Sequence, residues 1–221
     1  MDTTSAPQII EHIHQSVDFT PTDSKWIPNS AKFLVSGVSP KGKGVCRIHQ
    51  LSGKGKADVV ATLDEQCEHG VKCMTLGHSR IDQRQVAIGN YTGHLDIYDL
   101  HRPSSKPIFS VKAHKSIVNS VDGIGGLPGY GASEVVSGGR DGCVRVWDPR
   151  VETAVMSLEP EKGQNARDCW TVAFGNSYND EERCIVAGYD NGDVKMFDLR
   201  TSSIRWEHNC ANGVTGECLN S

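Results

Sequence analysis

Four short segments of this chain superimpose on one template: Gly44 to Gln50, Gly93 to Asp99, Gly142 to Asp148 and Gly192 to Asp198, with last positions 49, 49 and 50 residues apart. A fixed period of this size marks one supersecondary unit copied along the chain. It outweighs the prior that 221 residues make one or two ordinary domains.

The third unit shows what is copied. In Glu134-Val-Val-Ser-Gly-Gly-Arg-Asp141-Gly142-Cys-Val-Arg-Val-Trp147-Asp148, two runs rich in β-branched residues flank Asp141-Gly142, a pair suited to the positive φ angles of a tight hairpin. The fourth unit repeats this around Asn191-Gly192 and the second around Thr92-Gly93. The first has a longer loop, through Pro40 and Lys43. Two residues after the shared glycine stands Cys46, Leu95, Val144 or Val194, and two further on Ile48, Ile97, Val146 or Met196, on the same strand face. A ring follows every time: His49, Tyr98, Trp147, Phe197. Bulky side chains on both strand faces predict sheets sandwiched between neighbours. Another strand-like run lies upstream of each hairpin, at Ser24 to Ile27, Val71 to Met74, Ile117 to Val121 and Cys169 to Phe174. No long amphipathic helix is evident, so each unit reads as an antiparallel sheet of three or four strands.

Composition narrows the function classes. A net charge of −4 gives no electrostatic reason to expect nucleic acid or an anionic membrane as partner. No apolar stretch is long enough to span a bilayer. Met1 to Phe19 lacks the basic start and apolar run of a secretory signal. The eight cysteines, Cys46, Cys67, Cys73, Cys143, Cys169, Cys184, Cys210 and Cys218, are scattered without a Cys-x-x-Cys pair. Reduced thiols and a cytoplasmic location are the expectation.

A unit of this size ending in Trp147-Asp148, with His114 upstream after Ala113, resembles the WD40 repeat of β-propellers. The resemblance implies an all-β WD40 β-propeller fold with a buried network, onto which His114, Ser120, Asp141 and Trp147 map residue by residue. Such a chain of hydrogen bonds holds strand register, each bond contributing about 1 kcal/mol net. Unit four departs from the pattern, with Phe197 for tryptophan and Asp190 one residue further from the ring; unit two has Tyr98 and Thr92, and unit one lacks the network. Read as a catalytic pair, His114 and Asp141 have no nucleophile at a supporting position, so no enzyme activity, cofactor or metal is expected.

Three segments, Asp122 to Leu127, Arg167 to Asn176 and Ala187 to Arg200, together with Pro7 to Ile13 and Arg205-Trp-Glu207, are similar to the WD-repeat family of axonemal dynein assembly factors. That similarity runs over roughly residues 7 to 213. It implies a scaffold working with R2TP/prefoldin-like co-chaperone subunits, RuvB-like ATPases, a tetratricopeptide co-chaperone and dynein chains. The family's ring has seven blades, and this array holds about four, an incomplete, open arc. The expectation is a truncated propeller over residues 1–213, with repeats at 14–51, 66–100, 113–149 and 166–199 and the start of a fifth blade at 203–213. Residues 214–221 form a divergent tail. A strand at Gln8 to His12 would close the ring onto the absent last blade.

Other segments carry weaker signals. Gly123 to Gly129 lacks the spacing, the following Lys-Ser/Thr and the helix of a phosphate-cradling loop, and reads as an inter-strand connection. Cys67, His69 and Cys73 lack a fourth ligand and fit no standard zinc spacing. Trp147-Asp-Pro-Arg150 and Phe197-Asp-Leu-Arg200 resemble the W-D-x-R signature of substrate receptors for cullin–RING ubiquitin ligases, an alternative function in which Arg150 and Arg200 would bind an acidic partner. Trp170 and Trp206 are expected to pack in the core. The acidic stretch Asn176 to Arg183 is a candidate recognition loop.

Overall fold

The structure, a computed structural model, describes residues 11, 13–52, 55–64, 67–80, 82–103, 106–124, 133–160, 166–175 and 183–216. The sequence expectations for most of the Gly-rich and acidic loops, for the strand at residues 8–12 and for the end of the tail lie outside them.

The described residues form sixteen strands and no helix. They make four antiparallel sheets of four strands each, and within every sheet the strands lie in chain order. Sheet 1 holds β1 (Thr20–Trp26), β2 (Lys32–Val38), β3 (Gly44–Ser52) and β4 (Lys56–Thr62). Sheet 2 holds β5 (Val71–Thr75), β6 (Gln85–Asn90), β7 (His94–Asp99) and β8 (Phe109–Lys112). Sheet 3 holds β9 (Val118–Ile124), β10 (Glu134–Gly139), β11 (Val144–Trp147) and β12 (Met156–Leu158). Sheet 4 holds β13 (Cys169–Gly175), β14 (Cys184–Tyr189), β15 (Asp193–Asp198) and β16 (Ser203–Asn209).

The hairpins between second and third strands form where the turn chemistry placed them. Gly93, Gly142 and Gly192 sit at φ of +88°, +74° and +89°, in the left-handed region that side chains resist. Just before each, a short polar side chain folds over the turn. Asn90 Oδ1 accepts the His94 N–H at 2.9 Å, Asp141 Oδ1 that of Cys143 at 3.2 Å, and Asn191 Oδ1 that of Asp193 at 3.1 Å.

The core lies between the sheets. Leu34, Cys46 and Ile48 of sheet 1 pack on Val86, Ile88 and Tyr98 of sheet 2. Ala87, Leu95 and Ile97 pack on Val135 and Trp147 of sheet 3. Val136, Val144 and Val146 pack on Ile185, Ala187 and Phe197 of sheet 4. The alternation of bulky residues on both strand faces thus reflects two buried faces per sheet. Inner strands add polar ties: Asp23 Oδ2 accepts the Met74 N–H and Asp122 Oδ2 the Phe174 N–H, both at 2.9 Å.

Two expectations are corrected here. Ser203–Asn209 does not begin a fifth unit; it is β16, paired along β15 as the outer strand of sheet 4. Each sheet likewise extends past the repeat boundary read from sequence by one outer strand, because these strands lack the hairpin signature. Trp170 and Trp206 are not core residues, being 40% and 50% exposed. Trp170 is the extra residue of a β-bulge, where the β13–β14 register skips from Cys169 to Thr171, so its side chain leaves the paired face. Trp206 lies on a strand whose every residue is exposed.

Between sheets 2 and 3 lies a buried histidine outside any network. His78 is fully buried, and neither ring nitrogen has a hydrogen-bond partner within normal distance among the described residues. Burial drives its pKa down to about 4, the Gln85 side chain opposing only weakly. An unfolded histidine takes up its proton near pH 6.5, about 2.5 units earlier, so unfolding binds a proton in between. His78 therefore subtracts nothing above about pH 6.5 and lowers stability as pH falls towards 4, by about 2–3 kcal/mol. Urea unfolding across that window should show the decline in wild type and a flatter profile in His78→Leu; equal slopes would contradict the assignment.

Candidate functional site: a closed polar network and two arginine-bearing sheet ends

His114 follows β8 and precedes β9, in the link between sheets 2 and 3. Its backbone N–H donates to Gly93 O at 2.9 Å, tying the link to the hairpin of sheet 2. Its ring turns the other way, into sheet 3. Nδ1 lies 2.8 Å from Asp141 Oδ1, and Nε2 lies 2.8 Å from Ser137 Oγ. Trp147 Nε1 donates to the same Ser137 oxygen at 2.9 Å. With the histidine proton on Nδ1, every group has a role: Nδ1–H donates to the carboxylate, the serine O–H donates to Nε2, and serine oxygen accepts the indole N–H.

The network contains His114, Asp141 and Trp147, but its hydroxyl is that of Ser137 and not Ser120. Strand parity decides this. Val135 pairs with Trp147, so Ser137, two residues along, shares the tryptophan's face. Ser120 pairs with Gly138 and points to the opposite face, where its hydroxyl oxygen accepts the Val172 N–H of sheet 4 at 3.3 Å. Hairpin pairing about Asp141-Gly142 was readable from the sequence and would have selected Ser137.

Asp141 is the electrostatic centre. Its burial favours the neutral acid, but this is outweighed by the His114 hydrogen bond and by the backbone N–H groups of Lys115 and Cys143, which hold the carboxyl well below the usual range. Arg145 adds a longer contact of 3.4 Å to Oδ2 and donates to Ala113 O at 3.0 Å. Ser137 and the His114 ring are buried, and each reactive atom is consumed by a neighbour. What this arrangement does chemically is fasten a link to a hairpin.

The two arginines differ. Arg150 folds back onto Asp148 two residues earlier, its Nε lying 2.9 and 3.0 Å from the two carboxylate oxygens and its Nη2 2.6 Å from Oδ2. That contact holds the Asp148 carboxyl below its ordinary range. At Arg200 the corresponding tie is made by the backbone, whose N–H donates to Asp198 Oδ1 at 2.9 Å. Both arginines stay exposed at sheet ends. Cys67 and Cys73 are buried thiols, each pushed up to about 12 by burial, and no group of three metal-ligating side chains is placed to hold an ion among the described residues. No helix among those residues is long and apolar enough to cross a membrane.

Comparison with known proteins agrees with this geometry. The WD40 family (WD domain, G-beta repeat) matches residues 105–148, the stretch that carries His114, Ser137, Asp141 and Trp147. Dynein axonemal assembly factor 10 of Chlamydomonas reinhardtii is 49% identical over 98% of this chain and 60% of its own length. The Homo sapiens protein of that name is 48% identical over 94% of the chain and 58% of its own length, and the Dictyostelium discoideum one 27% identical over 88% and 57%. The chain therefore spans about three fifths of the length of the relatives it matches. Four blade-like sheets, the repeat's polar network and these similarities together make the chain an all-β array of WD40-type blades, similar over nearly all of its length to dynein axonemal assembly factor 10.

Proposed function

We propose that this chain is a non-enzymatic scaffold in the cytoplasmic preassembly of axonemal dynein arms. The observation that carries the reading is the 49% identity to a dynein axonemal assembly factor across 98% of the chain. Sheet interfaces and the His114 network are internally satisfied, which leaves loops, outer strands and sheet ends on a rigid array to hold other proteins. The partners are R2TP/prefoldin-like co-chaperone subunits, RuvB-like ATPases and dynein chains. Affinity purification from ciliating cells should enrich both co-chaperone and dynein subunits; enrichment of neither would defeat this role and leave the fold untouched.

The alternative of a cullin–RING substrate receptor rests on Arg150 and Arg200. The Asp148 clamp weighs against it, since the Arg150 fork already holds a carboxylate of its own chain. Recovery of a ligase adaptor that falls in Arg150→Glu and Arg200→Glu variants would revive it.

A further inference from the structure

At one position a single sheet departs from the other three. Three residues after the shared glycine stand Arg47, Arg145 and Lys195 in sheets 1, 3 and 4, and Asp96 in sheet 2. The four are equivalent in register, each on the third strand of its sheet and paired with Val35, Ser137, Ala187 and Ile88 of the second. Each cation is met within its own chain. Arg47 Nε donates to Asp64 Oδ2 at 2.9 Å, Arg145 Nη1 donates to Ala113 O at 3.0 Å and lies 3.4 Å from Asp141 Oδ2, and Lys195 Nζ lies 3.9 Å from Glu207. Asp96 has no ionic partner of this kind. Among the described residues its carboxylate accepts one hydrogen bond, from the Ser110 hydroxyl at 2.6 Å.

In sheet 3 the Arg145 head group lies against Ala113 O and the His114 ring. At the corresponding place sheet 2 has a cavity of about 240 Å³. Asp96, His94 and Ser110 line it from the sheet, and Cys67, Glu68 and His69 from the link that follows sheet 1. All its lining residues lie between positions 67 and 110, so neither chain end shapes it. No lysine or arginine is among them. Burial pushes the Asp96 carboxyl up, opposed by the Ser110 hydrogen bond and the His94 and His69 rings. A half-buried carboxylate without a cationic neighbour is destabilising, and an incoming cation relieves it. No three ligating side chains are placed to hold a metal ion among the described residues, so the arrangement suits an organic cation.

We propose that this cavity receives an arginine side chain of a partner protein, whose guanidinium meets the Asp96 carboxylate while its plane lies against the His69 or His94 ring. The sister sheets select the ligand, since a guanidinium is what Arg47 and Arg145 place at this register position. A planar fork can give two parallel N–H bonds to one carboxylate and stack on a flat ring, and an ammonium does neither. The two imidazoles stand 6.5 Å apart between centroids, beside the carboxylate they share. Glu68, exposed at the rim, adds a second negative charge. Such a pocket serves a scaffold whatever its client, so failure of the dynein role leaves it standing.

Histidine ring signals in the NMR spectrum of the 221-residue chain, titrated with N-acetylarginine methylamide, provide the test. Those of His69 and His94 should shift and saturate at millimolar probe. The His101 signals, from the opposite end of β7 where the ring meets Asp82 O, should stay in place. Asp96→Asn keeps an acceptor for Ser110 and should weaken binding about 10-fold or more. Asp96→Arg gives sheet 2 its own cation, as in sheets 1 and 3, and should abolish the response. Both variants alter a half-exposed side chain and should keep the far-UV spectrum. N-acetylcitrulline methylamide, a neutral probe of the same shape, should have no effect, and N-acetyllysine methylamide should bind more weakly. The idea is overturned if the wild-type response does not saturate, if the citrulline or lysine probe matches the arginine one, or if Asp96→Asn binds as tightly as wild type.

Discussion

Trp147→Ala is expected to lower the unfolding free energy by about 3–5 kcal/mol. The indole is 4% exposed and fills the interface between sheets 2 and 3 against Ala87, Leu95 and Ile97. Its removal leaves a cavity that two sheets, each held by its own ladder of backbone bonds, cannot close. It also removes the donor to Ser137, but that oxygen keeps its bond to His114 and is not orphaned. Most of the loss is therefore packing, and Trp147→Phe should cost only about 1–2 kcal/mol, as expected where sheet 4 carries Phe197 at this position. Urea unfolding followed by far-UV circular dichroism would separate the two variants. If they were equally destabilised, the indole N–H would matter more than the ring's volume.

Gly93→Ala should be nearly as damaging, at about 3–5 kcal/mol, and Gly42→Ala is its control. Both glycines lie in the left-handed region, at φ +88° and +78°. A methyl at Gly42 meets nothing within 4 Å, so it adds only backbone strain of about 1–2 kcal/mol. A methyl at Gly93 would stand 2.3 Å from the carbonyl oxygens of both His114 and Ser116. The chain between sheets 2 and 3 would have to withdraw, and the bond from His114 N–H to Gly93 O with it. Thermal or urea unfolding of the pair measures the cost of close approach by difference. Equal midpoints for the two variants would show that this link is free to move.

The repeat was legible because the residues that make hairpins are also those that make packing: Asp141-Gly142 and Asn191-Gly192 set the turns, and the residues after them fill the interfaces on both sides. The ring position and the burial of its partners followed from the same two-residue alternation. The outer strands were not legible in this way. Lys56–Thr62 and Ser203–Asn209 pair with one neighbour only and are largely exposed, with Ala57 the one buried residue between them, so nothing in their composition assigns them to the sheet before rather than the unit after. The bulge that turns Trp170 outward is a property of register, set by how β13 fits β14, and no residue type announces it. The network was three-quarters legible. Ser120 was chosen from a family pattern, whereas the parity argument from Trp147 through Val135 leads to Ser137.

His114 also bears on how such an array can be divided. Its backbone belongs to sheet 2 through Gly93, and its ring belongs to sheet 3 through Ser137 and Asp141. The period in the sequence and the limits of the sheets are out of phase, and this residue sits in the overlap. Anyone excising sheet 3, swapping it into another array or inserting a tag before it must start the graft at Ala113 or earlier. A cut placed at the first residue of β9, Val118, would leave the latch behind on the wrong fragment.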